Sequence, residues 1–396
     1  MNIIIFPFHD MRKNQREGYR NRDSHFIEQF SYNKNVEKVL IINRPITIAE
    51  MIYKRTTWRT IGQVIYQTSR VRLVKTHPNT YVLDYLSLDF IGNLLRKKAW
   101  YWKSYGSGEF IESIKKTLSL LKIEQYICLF QCPYSSSVLN KLSPQYTIFD
   151  ADDNWLRFPT YLYMHQRIKD AYQAFASAAD WWITNSSENK VYFSEQFSLD
   201  KCDVIKNGVD IDRFQKSYPL PLDLTPIEKP IIGFGGSISH LIDVELINFI
   251  LKNHPNKNFV FIGQILNKKI FREINNYPNF IYLGDKHYDT YPAYISHFDI
   301  CIIPYVTGLK THGGDALKFY EYLAAKKKIV STNGNGVFQA NSNVYLANNH
   351  NEFSILIDQA LQDFWEPYIV PEEFTWKYKT DYLVKSINYS ISNSLN

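Results

Sequence analysis

The chain has 396 residues, 45% of them hydrophobic and 21% charged, a globular composition that excludes a disordered or fibrous protein. Four cysteines (Cys128, Cys132, Cys202, Cys301) are too few for a disulfide scaffold and lack zinc-finger spacing, so a reducing compartment without structural zinc is expected. The net charge of +6 is uneven: residues 1–125 carry 21 Lys and Arg against 11 Asp and Glu, which points to two units with different partners. Met1–Phe8 is apolar without a basic flank or a small-residue cleavage site, and reads as a buried strand rather than a signal peptide. No window approaches about 18 uninterrupted apolar residues, so no spanning helix is expected.

In chain order, strand-like runs fall at Asn2–Phe8, Lys38–Ile42, Tyr126–Phe130, Tyr146–Asp150, Trp181–Thr184 and Asp203–Lys206, with amphipathic stretches such as Arg22–Phe30 and Ile168–Ala179 between them. The second half repeats the scheme, with strands at Pro230–Phe234, Phe259–Gly263, Phe280–Leu283, Ile300–Pro304 and Lys328–Ser331. Its helical runs are Ile242–Asn253, Tyr291–His297, Ala316–Lys326 and Glu352–Phe364. Alternating strands and helices predict α/β domains with doubly wound parallel sheets, which bind ligands at the carboxyl ends of their strands. Residues 217–230 hold four prolines in SYPLPLDLTPIEKP and read as a linker. The expected domains are 1–216 and 231–370, with 371–396 as a C-terminal helix that packs back on the first. A cleft between two such domains is a preferred ligand site.

Thr307–Thr332, TGLKTHGGDALKFYEYLAAKKKIVST, passes from a strand through a glycine-containing loop to a helix starting near Asp315. Free backbone N–H groups and a helix dipole suit a phosphate there, and Lys318 adds a full charge in the first turn. Glu321, three residues on, shares its helix face and could accept both hydroxyls of a ribose. A capped surface helix with an i,i+3 ion pair fits the same spacing. Gly233-Phe234-Gly235-Gly236 is not a dinucleotide fingerprint, because Ile238 stands where a third small residue is needed.

Asp150-Ala151-Asp152-Asp153-Asn154 follows a strand, and its crowded carboxylates should raise at least one pKa, as a general base requires. A polar turn or helix cap is the other reading. Lys54–Lys122 holds 13 basic residues against 4 acidic ones, interleaved with Trp58, Trp100, Tyr101, Trp102 and Tyr105. Its LLRKKAWYWKSY stretch has the basic-aromatic mixture of an interfacial membrane helix, and equally of a basic surface helix with core aromatics. No nucleic-acid signature accompanies it, so no nucleic-acid partner is expected.

DALKFYEYLAAKKKIVST resembles the nucleotide-sugar signature of GT-B glycosyltransferases, in particular the family-4-like group and bacterial teichuronic-acid, capsule and exopolysaccharide transferases. PIIGFGGSISHLIDVELI, NFIYLGDKHYDTYPAYISHFDICIIPY, ADWWITNSSE and VIKNGVDIDRF resemble further signatures of that group, in the right order. The resemblance implies a GT-B fold of two Rossmann-like domains, an acceptor-binding first and a nucleotide-sugar-binding second. It implies transfer from a nucleoside-diphosphate sugar, UDP-linked, to a hydroxyl of a glycan or lipid-linked acceptor in surface polysaccharide synthesis, with no metal and no separate cofactor. The implied setting is cytoplasmic, at the anionic inner face of the cell membrane.

By the same resemblance Lys318 binds the donor diphosphate and Glu321 the ribose. Gly235, Gly236 and Ser237 form the loop near the diphosphate or acceptor, Lys286, His287 and Tyr288 hold the base, and Gly314 and His312 assist. Arg22 and His25 match the first-domain loop and would meet an acceptor phosphate or the transferred sugar, while Arg12 and Lys13 suit a solvated basic loop. Asp152 or Asp153, with Asp153 preferred, would take the acceptor proton in an inverting reaction. The sequence departs from the group in having Gly313 where many members carry an acid, and Ser239 and His240 where an Arg and Lys pair is common. A catalytically weak partner subunit and a UDP-sugar isomerase of the same fold are the alternative functions.

Overall fold

The computed structural model describes residues 1–307 and 314–394. The chain forms two units. The first takes in Met1–Lys206 and the residues from Lys377 on, and the second takes in the segment from Asn207 and Gly314–Trp376. The division falls after Lys206, ahead of the expected boundary at 216. The cause is local: the Asn207 side chain donates to the Asp315 carbonyl at 2.6 Å, and Phe214 is buried in the second unit's core.

The first unit runs β1 (Asn2–Phe6), α1 (Met11–Glu17), α2 (Arg22–Tyr32), β2 (Lys38–Ile42), β3 (Ile46–Thr47), α3 (Ile48–Lys54), β4 (Gln63–Gln67), β5 (Val71–His77), β6 (Thr80–Ser87) and α4 (Phe90–Arg96). It continues through α5 (Trp100–Tyr105), α6 (Gly108–Leu120), β7 (Ile127–Phe130), β8 (Tyr146–Asp150), α7 (His165–Ala178), β9 (Trp181–Thr184), α8 (Ser187–Phe197) and β10 (Cys202–Val204). The sheet order is β10-β9-β8-β7-β1-β2-β6-β5-β4, with β3 paired to β6. From β10 to β6 the pairs are parallel, and the central strands are near-continuous apolar runs because helices cover both faces. Phe149 on β8 stacks on Phe175 of α7 with ring centroids 3.9 Å apart.

Beyond β6 the sheet turns antiparallel, which the purely parallel expectation missed. Val71–His77 and Thr80–Ser87 are joined by a tight turn containing Pro78 and Asn79, so β5 and β6 pair back to back. The aromatic residues of this region also differ from the expectation. Trp58, Trp100, Tyr101 and Tyr105 are buried, packed against the rest of the unit rather than presented to a membrane.

The second unit runs α9 (Ile211–Gln215), β11 (Ile231–Gly235), α10 (Val244–Asn253), β12 (Asn258–Ile262), α11 (Lys268–Glu273), β13 (Phe280–Tyr282) and α12 (Tyr291–His297). There follow β14 (Ile300–Ile303), α13 (Leu317–Ala324), β15 (Lys328–Thr332), β16 (Val344–Ala347) and α14 (His350–Gln362). Its sheet, β13-β12-β11-β14-β15-β16, is parallel throughout. Helix entry follows the sequence: the Asp243 carboxylate accepts the Leu246 N–H at 2.9 Å, and the Asn349 side chain accepts the Glu352 N–H at 2.9 Å. The last helix, α15 (Trp376–Ser394), begins at the junction, and from Lys377 on it groups with the first unit. Among the described residues no helix is long and apolar enough to cross a membrane.

Candidate functional site

In the second unit the carboxyl ends of β11 and β14 meet the start of α13. The Gly235 N–H donates to the Tyr322 hydroxyl at 2.8 Å, and the Tyr291 hydroxyl donates to the Gly235 carbonyl at 3.2 Å. A Cβ at Gly235 would lie 2.5 Å from the Tyr291 ring, so packing against that ring requires a glycine here. Gly236 is different. A Cβ there would lie 2.6 Å from Lys318 Cε, so its bareness makes room for the lysine. Lys318 leaves the first turn of α13, passes over the rings of Phe234 (5.3 Å) and Tyr305 (4.7 Å), and bonds the Tyr305 hydroxyl. The ammonium therefore sits beside the half-buried Gly236-Ser237 backbone.

One turn further along α13, Glu321 is buried and accepts a hydrogen bond from the Tyr288 hydroxyl at 2.8 Å. Burial raises its pKa, against the opposing pull of the Tyr288 hydroxyl and the Lys318 charge. Arg213 lies over the Tyr288 ring at 5.0 Å and completes the cluster. The expected base-binding loop thus divides. Tyr288 turns inward to Glu321, whereas Lys286 is tied to Asp223 at 2.6 Å and exposed His287 faces Asp289 at 3.4 Å. Gly314 is half-buried beside Gly336, where a Cβ would lie 2.6 Å from the Gly314 carbonyl oxygen. His312 and Gly313 lie outside the described residues. Sequence reasoning missed Tyr305, Tyr291 and Arg213; the i,i+3 spacing of Tyr288 and Tyr291 was the available signal.

In the first unit the carboxyl ends of β1, β7 and β8 carry a second polar cluster. Arg22 is buried, with Nε 3.0 Å and Nη2 3.1 Å from the Asp150 carboxylate, and Nη1 donates to the Ile205 carbonyl at 2.8 Å. Gln131 adds a bond to Asp150 at 3.1 Å. His25 is buried on α2 as well. Arg22 and His25, expected to meet an acceptor, both lie in the interior, and the Arg22 interaction with Asp150 joins α2 to β8.

Asp152 and Asp153 remain half-buried beyond the strand end. Burial pushes the Asp152 pKa well up, and the neighbouring Asp153 and Asp150 charges push it further. Its Oδ1 accepts the Asp153 N–H at 2.9 Å, which fixes the carboxyl. All four cysteines are buried and free, and burial pushes the Cys132 and Cys301 thiols up to about 12, too high for nucleophiles. Among the described residues no three His, Cys, Asp or Glu side chains are grouped to hold a metal ion.

These two sheets, with polar clusters at the carboxyl ends of their strands, define the fold class. An α,α-trehalose-phosphate synthase (UDP-forming) from Burkholderia vietnamiensis matches 99% of the chain and 97% of its own, with a TM-score of 0.61 at 11% identity. A variant of S. aureus TarM, in complex with fondaparinux, α-GlcNAc-glycerol and UDP, matches 99% of the chain and 98% of its own, with a TM-score of 0.54 at 12% identity. The chain has the GT-B fold, with two Rossmann-like domains.

In sequence it is similar to a Bacillus subtilis (strain 168) protein named "Putative teichuronic acid biosynthesis glycosyltransferase TuaH", 30% identical over 138 residues. That match covers 34% of this chain and 35% of the relative, about a third of its length. No protein-family profile matches the chain.

Proposed function

We propose that this protein is a glycosyltransferase that moves a sugar from a UDP-sugar to a hydroxyl of a glycan or lipid-linked acceptor in surface polysaccharide assembly. The carrying observation is the pairing on α13 of Lys318, set against the Gly236 backbone, with buried Glu321 one turn on. Support comes from the name of the B. subtilis relative and from the UDP-using names among the structural neighbours. Lys318 and the Gly236-Ser237 backbone hold the diphosphate, and Glu321, aimed by Tyr288, accepts the ribose hydroxyls.

In the reaction the acceptor oxygen bonds to the anomeric carbon as the carbon–oxygen bond to the diphosphate breaks. The diphosphate leaves with the electron pair, and Lys318 stabilises that charge. In an inverting reaction Asp152, as the ionised carboxylate, receives the acceptor proton. No separate cofactor or metal is assigned a part.

The protein works at the anionic inner face of the membrane. The contact is made by α3 and α4, not by the buried aromatic residues. Tyr53 (87% exposed) and Leu95 (78% exposed) stand with Ile52 and Leu94 beside exposed Arg55, Arg96, Lys97 and Lys98. Apolar side chains ringed by cations suit an anionic leaflet.

The direct experiment measures nucleoside-diphosphate release from a panel of UDP-, GDP- and ADP-sugars, with and without polysaccharide fragments as acceptors. Acceptor-stimulated UDP release, lost in Lys318→Ala, is expected. A chain that binds UDP but never turns over a donor would be a partner subunit instead.

A further inference from the structure

A cavity of about 480 Å³ opens in the first unit where the segments after β1 and β2 face α3. Its walls carry five cations: Arg12, Lys13 and Arg16 from α1, Arg44 from the segment after β2, and Lys54 from α3. Among the described residues the lining carboxylates against them are Asp10 and Glu50.

The cations are not equivalent. Arg12 is committed to the wall: it bonds Asp10 at 3.0 Å, the Arg44 carbonyl at 2.7 Å and the Trp58 carbonyl at 3.3 Å. Arg44 lies over the Tyr101 ring at 4.5 Å, which fixes the plane of its guanidinium, and its Nε is buried without a hydrogen-bond partner. Its nearest acid, Glu50 at 3.3 Å, is shared with Lys54 at 2.6 Å. Lys13 and Arg16 share Glu17, at 3.8 and 3.5 Å, with Arg20, which holds it more closely at 2.7 Å. Each carboxylate is outnumbered. Burial lowers the Lys13 pKa, against the opposing charges of Glu17, Asp23 and Asp10. The cavity is short of negative charge, and its fixed guanidinium suits a planar or tetrahedral oxyanion.

We propose that this cavity binds an anionic group, a phosphate or a carboxylate, carried by the acceptor. The inference rests on the glycosyltransferase reading, in which the donor's own phosphates go to Lys318 in the second unit. It gives the acceptor a chemistry: the sugar is added to an anionic glycan or to a phosphate-linked one. Arg12 and Lys13, expected in a solvated basic loop, lie on α1, with Arg12 buried and Lys13 half-buried.

The test is equilibrium binding of three probes to the full chain: inorganic phosphate, methyl glucuronide and neutral methyl glucoside. UDP is titrated in parallel. Phosphate or glucuronide should bind and the glucoside should not, and the preferred anion tells phosphate from carboxylate. The double variant Lys13→Ala/Arg16→Ala, at partly exposed sites, should weaken anion binding at least tenfold and leave UDP affinity unchanged. Arg44→Gln should do the same. Anion binding should persist in Lys318→Ala. Three results would overturn the proposal: no anion binding, binding indifferent to Lys13, Arg16 and Arg44, or binding lost with Lys318. Failure of UDP to bind the wild-type chain would instead strike the glycosyltransferase reading alone.

Discussion

Gly236 and Lys318 share one volume of space. A Cβ built on Gly236 would lie 2.6 Å from Lys318 Cε and 2.9 Å from Nζ. The lysine is the flexible partner, so an alanine at 236 would push the ammonium off its perch over Phe234 and Tyr305. Gly236→Ala is therefore expected to weaken UDP binding about as much as Lys318→Ala does. Losing a charge-assisted hydrogen bond costs about 1.5–3 kcal/mol, tenfold or more in affinity. The double variant should bind UDP no worse than Lys318→Ala alone, because one interaction is lost once. Additive losses measured by calorimetry would mean that the two residues act separately.

Tyr288→Phe isolates the second contact. The phenol hydroxyl donates to Glu321 in a buried setting, and its loss leaves a buried carboxylate short of a donor, a cost of about 1–3 kcal/mol. The Glu321 pKa, already raised by burial, should rise further, so UDP affinity should fall and the fall should deepen as pH drops. Titration of UDP across pH in both proteins checks this. Parallel profiles would remove Tyr288 from the site.

The donor side was the more legible half. Lys318 and Glu321 share a helix face by spacing alone, and the parallel sheet that presents them follows from the strand-helix alternation. What spacing could not show was why Gly235 and Gly236 are glycines: one yields to the Tyr291 ring and the other to Lys318, which are long-range contacts. The first unit was harder. Arg22 and Asp150 are 128 positions apart, so nothing local announces that they pair and bury each other. The tryptophans and tyrosines between 54 and 122 carry no mark in the sequence of which face they take, and the fold turns Trp100, Tyr101 and Tyr105 inward. Composition could suggest a membrane surface, but only the burial pattern shows that the apolar side chains of α3 and α4, and not those aromatic residues, are exposed.

The proposed membrane contact through α3 and α4 is testable. Each basic residue near an anionic surface contributes about 1 kcal/mol, so Arg96→Glu/Lys97→Glu/Lys98→Glu should lower affinity for phosphatidylserine vesicles at least a hundredfold. Leu94→Ser/Leu95→Ser should lower it at least tenfold even in high salt, since fully burying a leucine contributes about 1.5–3 kcal/mol. Trp100 is packed inside, so its substitution should cost folding stability rather than show a selective membrane defect. Vesicle flotation at low and high salt, beside thermal melts, separates these outcomes. Flotation untouched by the α4 variants would end the membrane assignment.

Asp152 ties stability to chemistry. Its pKa in the folded chain lies well above the ordinary 3.8, chiefly through burial and then through Asp153 and Asp150. Between those two values the folded state holds a proton that the unfolded chain has released, so stability falls as pH rises through that window and stays lower above it. Asparagine cannot ionise and keeps an oxygen for the Asp153 N–H. Asp152→Asn should therefore melt higher than the wild type at about pH 8, and the gain should vanish as pH approaches 3.8. Transfer should move the opposite way, dropping about 10²–10⁴-fold if Asp152 takes the acceptor proton, with UDP affinity unchanged and the product anomer inverted. A retained anomer would assign that proton to the departing diphosphate and leave Asp152 to orient the hydroxyl, with a smaller loss. A variant that is more stable and equally active would make Asp152 a turn residue and nothing more.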